Sequence, residues 1–129
     1  MSGHPEHAGR LSSVWKHMKD AGLTGQITPI IPQPLAESTI LLAHDPALLN
    51  NRGNVESLSD SSLYMLNPDT YMTPNSYTIA RLSAGGVCAA VDAVMDRETD
   101  NALVAVRPPG HHATPSTAMG FCLLNNIAI

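Results

Sequence analysis

The chain has 129 residues, a length that suits one domain of ordinary size. Hydrophobic residues make up 43% of it and charged residues only 14%, with a formal net charge of −4, which argues against a nucleic-acid-binding protein with a basic surface. Two widely spaced cysteines, Cys88 and Cys122, with neither a leader-like apolar segment nor a membrane-length apolar run, predict a reducing, cytoplasmic setting without membrane association.

The stretch "GRLSSVWKHMKDAGL" predicts a first helix. Its apolar residues recur at the i, i+3, i+4, i+7 spacing of one helical face: Leu11, Val14, Trp15 and Met18. Gly22 stands where a glycine in the left-handed conformation would end that helix.

Proline dominates the segment "ITPIIPQPLAE", which follows. Residues 27–31 are predicted to form either a short strand at a sheet edge or an extended connection, because proline cannot donate to a central ladder. "AESTILLAHD" predicts a short helix before Pro46, and the polar residues 50–68 predict mostly loop.

The next segment carries the strongest helical pattern. Thr73 is a suitable N-cap and Pro74 a suitable first residue, and an apolar stripe then continues to about Arg97. Gly85 and Gly86 within it permit a close approach of a neighbouring element. The uninterrupted apolar run "NALVAV", residues 101–106, predicts a buried strand of a parallel α/β sheet.

The stretch "RPPGHHA", residues 107–113, begins at the carboxyl end of that predicted strand, where sites in parallel α/β sheets lie. Pro108, Pro109 and Gly110 form a stiff turn that delivers His111 and His112 to a defined position. Adjacent side chains in an extended loop point apart, so acid–base or hydrogen-bonding roles are favoured over joint metal ligation. The structural alternative is a pair of histidines that bind backbone carbonyls.

"RPPGHHA" followed by "MGFCLLNNIAI", residues 119–129, resembles the active-site signature of the zinc-dependent histone deacetylase family, including its histone deacetylase-like amidohydrolases and acetoin-utilisation proteins. "HPEHAGRL", "AHDPALL" and "DTY" resemble other segments of the family more weakly. The resemblance implies an α/β, arginase/deacetylase-like three-layer fold with a central parallel sheet. Residues 1–129 would be the N-terminal part of a single such domain, incomplete at both ends.

Deacetylation of acetyl-lysine or of small acetylated amines is the activity that the resemblance implies, with zinc as the cofactor. His112 would be the general base, and His111 would lie deeper and tune the charge of the site. Phe121 would line the tunnel for the lysine stem, and Gly120 would offer its carbonyl to the substrate amide.

Two further roles are implied. Asp69 matches the rim aspartate that holds the substrate backbone, and Arg10 matches an arginine that lines an internal cavity. Each assigned residue also has a plain structural interpretation, with Phe121 as core, Asp69 as a turn residue and Arg10 as a solvated helix residue. The remaining histidines are expected to be surface or capping residues without chemistry: His4, His7, His17 and His44.

The zinc ligands of the family, two aspartates and a histidine, match no residue of this chain, so no metal ligand is assigned here and the chain alone is expected to be inactive. It would need the remainder of the domain, or another chain, as a partner. The alternative interpretation is a non-catalytic deacetylase-like module with a folding or partner-binding role. A cysteine hydrolase using Cys122 with His112 is disfavoured, because Cys122 lies in an apolar run without an evident orienting residue.

Overall fold

The computed structural model describes residues 3–50 and 62–129. Its helices are α1 (Gly9–Asp20), a 3-10 turn (Leu23–Gly25), α2 (Glu37–Ile40), α3 (Pro46–Leu49) and α4 (Ser76–Met95). Its strands are β1 (Tyr64–Met65) and β2 (Tyr71–Met72), which pair antiparallel with Tyr64 opposite Met72. Most of the loop predicted at residues 50–68 lies outside the described residues, and β1 forms near its end.

Helix α1 confirms the first predicted helix and its end. Gly22 adopts φ +72°, and its N–H donates to the carbonyl of Lys19, 3.0 Å away. No residue of α1 is buried, and Trp15 on its apolar face is 57% exposed. The apolar stripe therefore gives the helix its periodicity, but the described part of the chain covers it only in part, at Leu11 and Met18.

Helix α4 begins at Ser76, two residues later than Pro74, the predicted start. Thr73 nevertheless organises the first turn. Its carbonyl accepts the N–H of Ser76 at 3.0 Å, and its own N–H donates to the Ser76 hydroxyl at 2.8 Å. The second bond is half of a capping box, with serine in the place usually held by glutamate.

The hydrophobic core lies between α4, the short helices and the C-terminal segment. Its residues come from α2, α3, β2, α4 and residues 118–124: Ile40, Leu48, Leu49, Met72, Tyr77, Ala80, Ala84, Ala118, Leu123 and Leu124. Since the last three lie just beyond the histidine pair, the core anchors the segment that carries the predicted site.

Residues 27–36 form an extended connection and not a strand, the second of the two predicted alternatives. The connection runs along α4 and is fixed there by Arg81. The N–H of Leu35 donates to the Arg81 carbonyl at 3.1 Å, and Arg81 Nε donates to the Leu35 carbonyl at 2.6 Å. At Gly85 the approach is so close that a Cβ atom would lie 1.8 Å from the carbonyl oxygen of Gln33.

The predicted buried strand at residues 101–106 is wrong for this structure. The segment makes no ladder with any described residue, and Leu103 is 73% exposed. A strand is defined by pairing, and the described residues contain no strand beside this one. The segment is still held against α4 at its end, where the Ser83 hydroxyl donates to the Arg107 carbonyl at 2.6 Å.

Helix α4 is also long and apolar enough to span a bilayer by length and composition, with a mean hydropathy of 1.3. Core helices of globular proteins meet the same criterion. Because Tyr77, Ala80 and Ala84 of α4 belong to the hydrophobic core, we interpret it as a core helix.

Candidate active site

The two predicted catalytic histidines face each other. The ring centroids of His111 and His112 are 4.2 Å apart, with the ring planes tilted by 50°. The prediction that their side chains point apart is wrong, because the chain bends at these residues instead of running extended. Both side chains are exposed in the described part of the chain, so neither is a buried structural histidine.

The turn before the histidines is tightly packed. The Arg107–Pro108 peptide bond is cis. Gly110 does not adopt a positive φ, so its role differs from the predicted one. Its backbone lies against the buried Asn126, so that a Cβ atom there would be 2.1 Å from Asn126 Cγ. The Gly110 carbonyl also accepts the N–H of Ile127 at 3.2 Å, which closes the base of the segment that follows. We call residues 110–125 the histidine loop.

A tight hairpin turn presents the predicted substrate residues. Met119 and Cys122 exchange two backbone hydrogen bonds, of 3.1 and 2.9 Å, across Gly120 and Phe121. The two central residues have φ +57° and +66°, the sign that a type I′ turn requires at both positions. A left-handed phenylalanine is an outlier that costs about 1–3 kcal/mol, a kind of strain that clusters at functional sites.

Gly120 connects this turn with the histidine pair. A Cβ atom at Gly120 would lie 2.8 Å from the Cβ, Cγ and Cδ2 atoms of His112. Only a glycine backbone allows the His112 side chain to pack this closely. The Gly120 carbonyl, the predicted acceptor for the substrate amide, lies 3.3 Å from the Sγ atom of Cys122.

Asp69 and Phe121 are joined by one threonine. The N–H of Phe121 donates to the Thr70 hydroxyl at 3.0 Å, and that hydroxyl donates to Asp69 Oδ1 at 2.6 Å. The ring of His4 packs edge-on against Phe121, at 5.1 Å between centroids, and its Nε2 lies 3.3 Å from the Asp69 carbonyl. His4, expected to lack a role, therefore belongs to this group. The sequence feature that could have indicated this is the position of His4 in the "HPE" segment, which resembles the family.

A cleft of about 170 Å³ lies beside this group. Phe121, Asp69 and His4 line it together with Glu6 and Arg107, whereas the histidine pair does not. The carboxylate of Glu6 is only 4% exposed and is bound by the guanidinium groups of Arg10 and Arg107. Because Arg107 directly precedes the turn to the histidines, this ion pair connects the N-terminal segment with the histidine loop.

Arg10 lies outside the cleft. Its side chain is 58% exposed, at the start of α1, and its guanidinium group binds Glu6. Arg107 holds the more buried position, at 26% exposed, and the role of Arg10 at an internal cavity stays a prediction.

Replacing Glu6 with glutamine is expected to lower the free energy of unfolding by about 1–3 kcal/mol, because Arg107 and Arg10 would lose their shared counterion. The measurement is chemical unfolding of the two proteins. The same change at the exposed Glu98 is the matched control and should have almost no effect. Equal stability of the Glu6 variant and the parent protein would contradict this role.

His44 is buried, at 4% exposed, so its expected surface position is wrong. It contacts the backbone of the histidine loop, at residues that lie 70 or more positions further along the chain. A local sequence pattern does not reveal contacts over such a distance. The expected surface position is confirmed for His7 and for His17, whose ring contacts the carbonyl of Ser13 in its own helix.

The described residues do not by themselves fit a zinc ion. Among residues 3–50 and 62–129, no three histidine, cysteine, aspartate or glutamate side chains come close enough to hold a metal, whereas a catalytic zinc takes about three protein ligands. Cys122 is fully buried, and its Sγ lies 3.4 Å from the N–H of His111. That position is typical of a small core residue and argues against the cysteine hydrolase.

Comparison with known proteins agrees with the motif. Residues 4–129 match the histone deacetylase domain family. The histone deacetylase-like amidohydrolase of Pseudomonas aeruginosa is 40% identical over 99% of this chain and 33% of its own length. The polyamine deacetylase HDAC10 of Danio rerio is 35% identical over 93% of this chain and 18% of its own length.

A solved structure, the HDA15 HD domain, superposes on this chain with a TM-score of 0.88 at 31% identity, covering 95% of this chain and 35% of that one. The chain thus spans about a third of the Pseudomonas relative and of this solved domain. Histone deacetylase domains have an arginase/deacetylase-type α/β fold, while the central parallel sheet stays a prediction, since the described residues contain only the β1–β2 pair. By sequence and by structure, the chain belongs to the histone deacetylase domain family.

Proposed function

We propose that this chain is the N-terminal part of a zinc-dependent amidohydrolase domain that removes acetyl groups from acetyl-lysine or from small acetylated amines. The main observation that supports this proposal is the arrangement of the histidine loop, in which two facing imidazoles lie beside a strained Gly-Phe turn. The names of the relatives, which include histone and polyamine deacetylases, support the reaction class. As part of this proposal, the protein acts in the cytoplasm, for which the free thiols of Cys88 and Cys122 are the support.

In this proposal, His112 accepts a proton from the water that attacks the acetyl carbonyl, and later returns it to the leaving amine. The exposed position of its ring gives a water molecule and a substrate access to it. The ring of the neighbouring His111, 4.2 Å away between centroids, places a second imidazole where it can assist the proton transfer.

Substrate binding is assigned to the turn and its neighbours. Phe121 offers an apolar wall to the lysine stem, and Gly120 its carbonyl to the amide N–H. Asp69 is joined to Phe121 through Thr70, so a substrate held at Asp69 is placed in a fixed relation to the turn. Zinc, when bound in the whole domain, would supply electrophilic activation, with ligands other than the described residues of this chain.

The test uses the whole protein, meaning this chain with whatever else its gene encodes. With zinc it is expected to deacetylate an acetyl-lysine peptide or an acetylpolyamine, and a chelator is expected to abolish turnover, with recovery when zinc is restored. Residues 1–129 alone should show no turnover under the same conditions. A folded, zinc-loaded whole protein that deacetylates neither substrate would refute the proposed function.

The second candidate is a non-catalytic module that binds a partner. Large apolar side chains on the surface of the described residues favour it: Ile31, Leu42, Leu103 and Ile127, which are 81%, 80%, 73% and 74% exposed. The same apolar groups would be covered by the rest of a catalytic domain. Absence of turnover together with stable association of the chain with another protein would favour the module.

A further inference from the structure

His44 contacts the histidine loop at two places, both of which are distant from His44 in the sequence. Its Nδ1 atom lies 3.1 Å from the carbonyl oxygen of Thr114 and 3.2 Å from that of Pro115. Its Nε2 atom lies 2.9 Å from the backbone nitrogen of Asn125. The first contact follows the histidine pair closely, and the second follows the Gly-Phe turn closely.

These partners determine the protonation of the ring. A backbone N–H can only donate, so Nε2 of His44 must accept the hydrogen bond from Asn125 and carry no proton. Carbonyl oxygens can only accept, so Nδ1 must carry the proton that it donates to Thr114 or Pro115. The ring is therefore the neutral Nδ1–H tautomer. An imidazolium would place a second N–H against the N–H of Asn125.

Two further bonds close the loop at the same place. The N–H of Asp45, next to His44, donates to the Pro115 carbonyl at 2.9 Å. The side-chain amide of Asn125 donates to the Ala113 carbonyl at 2.9 Å. The two ends of the histidine loop are thus held to each other and to the turn between α2 and α3.

We propose that His44 is a positioning residue that sets the distance between the histidine pair and the Gly-Phe turn. The inference rests on the proposed function, because both parts belong to the proposed site. His112 and Gly120 are in direct contact, so a small displacement of either end of the loop moves the imidazole relative to the substrate turn. Misplacement of a reacting group by about 1 Å can lower a rate by about 100-fold.

Three variants of the whole, zinc-loaded protein separate the two contacts. His44→Ala removes both, and kcat is expected to fall by about 10- to 100-fold with a smaller change in KM. His44→Asn places an amide donor near the Nδ1 position, and His44→Gln places an amide oxygen near the Nε2 position, so each should recover part of the loss. His17→Ala is the matched control, since His17 is exposed and binds only within α1, and it should leave kcat unchanged.

A merely structural role would lower the melting temperature and the folded fraction without the partial recovery by asparagine and glutamine. The rates are therefore measured well below the melting temperature of each variant, with the folded fraction determined in parallel. Wild-type kcat in a folded His44→Ala variant would overturn the inference. So would equal losses in all three His44 variants.

A nitrogen-15 NMR measurement keeps the inference testable independently of activity. The whole protein should show His44 as the Nδ1–H tautomer, and His44→Ala should shift the ring resonances of His111 and His112, whereas His17→Ala should not. A proton on Nε2 of His44, or unchanged His111 and His112 resonances, would overturn the positioning role even in an active enzyme. Failure of the proposed function would appear differently, as an absence of turnover with these NMR signatures present.

Discussion

Replacement of His112 by alanine is expected to lower the deacetylation rate of the whole protein by at least about 100-fold, the usual contribution of a general base. The His112 ring is exposed and packs against Gly120 and His111. Its removal therefore creates no buried cavity, and the melting temperature should change little. The measurement is kcat/KM on the same acetyl-lysine peptide, beside a thermal unfolding curve of each protein.

His17→Ala is again the appropriate control, because it removes an exposed imidazole without touching the histidine loop. His112→Gln tests the chemistry more narrowly, since an amide keeps hydrogen bonding but cannot accept the proton of water at neutral pH. Both His112 variants should lose activity equally. Unchanged turnover in a folded His112→Ala protein would show that the base is another group.

Local patterns predicted the parts of the fold that local forces determine. Helix α1 and its termination at Gly22 follow from periodicity and from one left-handed residue. Helix α4 follows from its apolar stripe, and its start moved by two residues because Ser76 completes the first turn that Thr73 begins. Such signals act over about one helical turn, which is the range that a sequence pattern covers.

The pairing of strands and the burial of polar side chains could not be predicted from local patterns. An apolar run at residues 101–106 has the composition of a buried strand, but a strand needs a neighbour, and the sequence of one strand does not specify it. His44 was expected to be a surface or capping residue, and no role was predicted for Glu6. His44 contacts Asn125, which lies 81 residues further along the chain, and Glu6 contacts Arg107, which lies 101 residues further along.

The sequence predicted which residues lie near one another better than it predicted how their side chains are arranged. The resemblance assigned His111, His112, Gly120 and Phe121 from one motif and Asp69 from another segment, and the structure brings them into one region through direct contacts and one threonine. Their roles in binding and catalysis stay predictions. The facing imidazoles and the left-handed Phe121 were not predictable. Phenylalanine avoids positive φ, so its conformation depends on contacts within the fold: the backbone hydrogen bonds between Met119 and Cys122, and the bond from the Phe121 N–H to the Thr70 hydroxyl.

Replacing Gly85 of α4 with alanine is expected to have a large effect on stability. A Cβ atom at Gly85 would lie 1.8 Å from the carbonyl oxygen of Gln33 and 3.0 Å from its carbonyl carbon. Since these are backbone atoms, no side-chain rotation can relieve the clash. Gly85→Ala is therefore expected to lower the free energy of unfolding by about 1–3 kcal/mol or more, the usual cost of overpacking.

Gly86→Ala is the matched comparison within the same helix. Its Cβ atom would meet Pro32 at 3.5 Å, an ordinary contact, so the gain in helix propensity of up to about 1 kcal/mol should make this variant as stable as the parent or more stable. Chemical unfolding of the two whole-protein variants measures the difference directly. Equal stabilities would mean that the proline-rich connection does not press on α4 at Gly85.

The same pair of variants also tests whether the connection affects the site. Ser83, two residues before Gly85, donates its hydroxyl proton to the Arg107 carbonyl at the entrance to the histidine loop. A shift of α4 away from Gln33 would therefore move Arg107 and the turn that follows it. Gly85→Ala should lower kcat even where the protein remains folded, whereas Gly86→Ala should not, and a fully active Gly85→Ala protein would show that α4 and the histidine loop adjust independently.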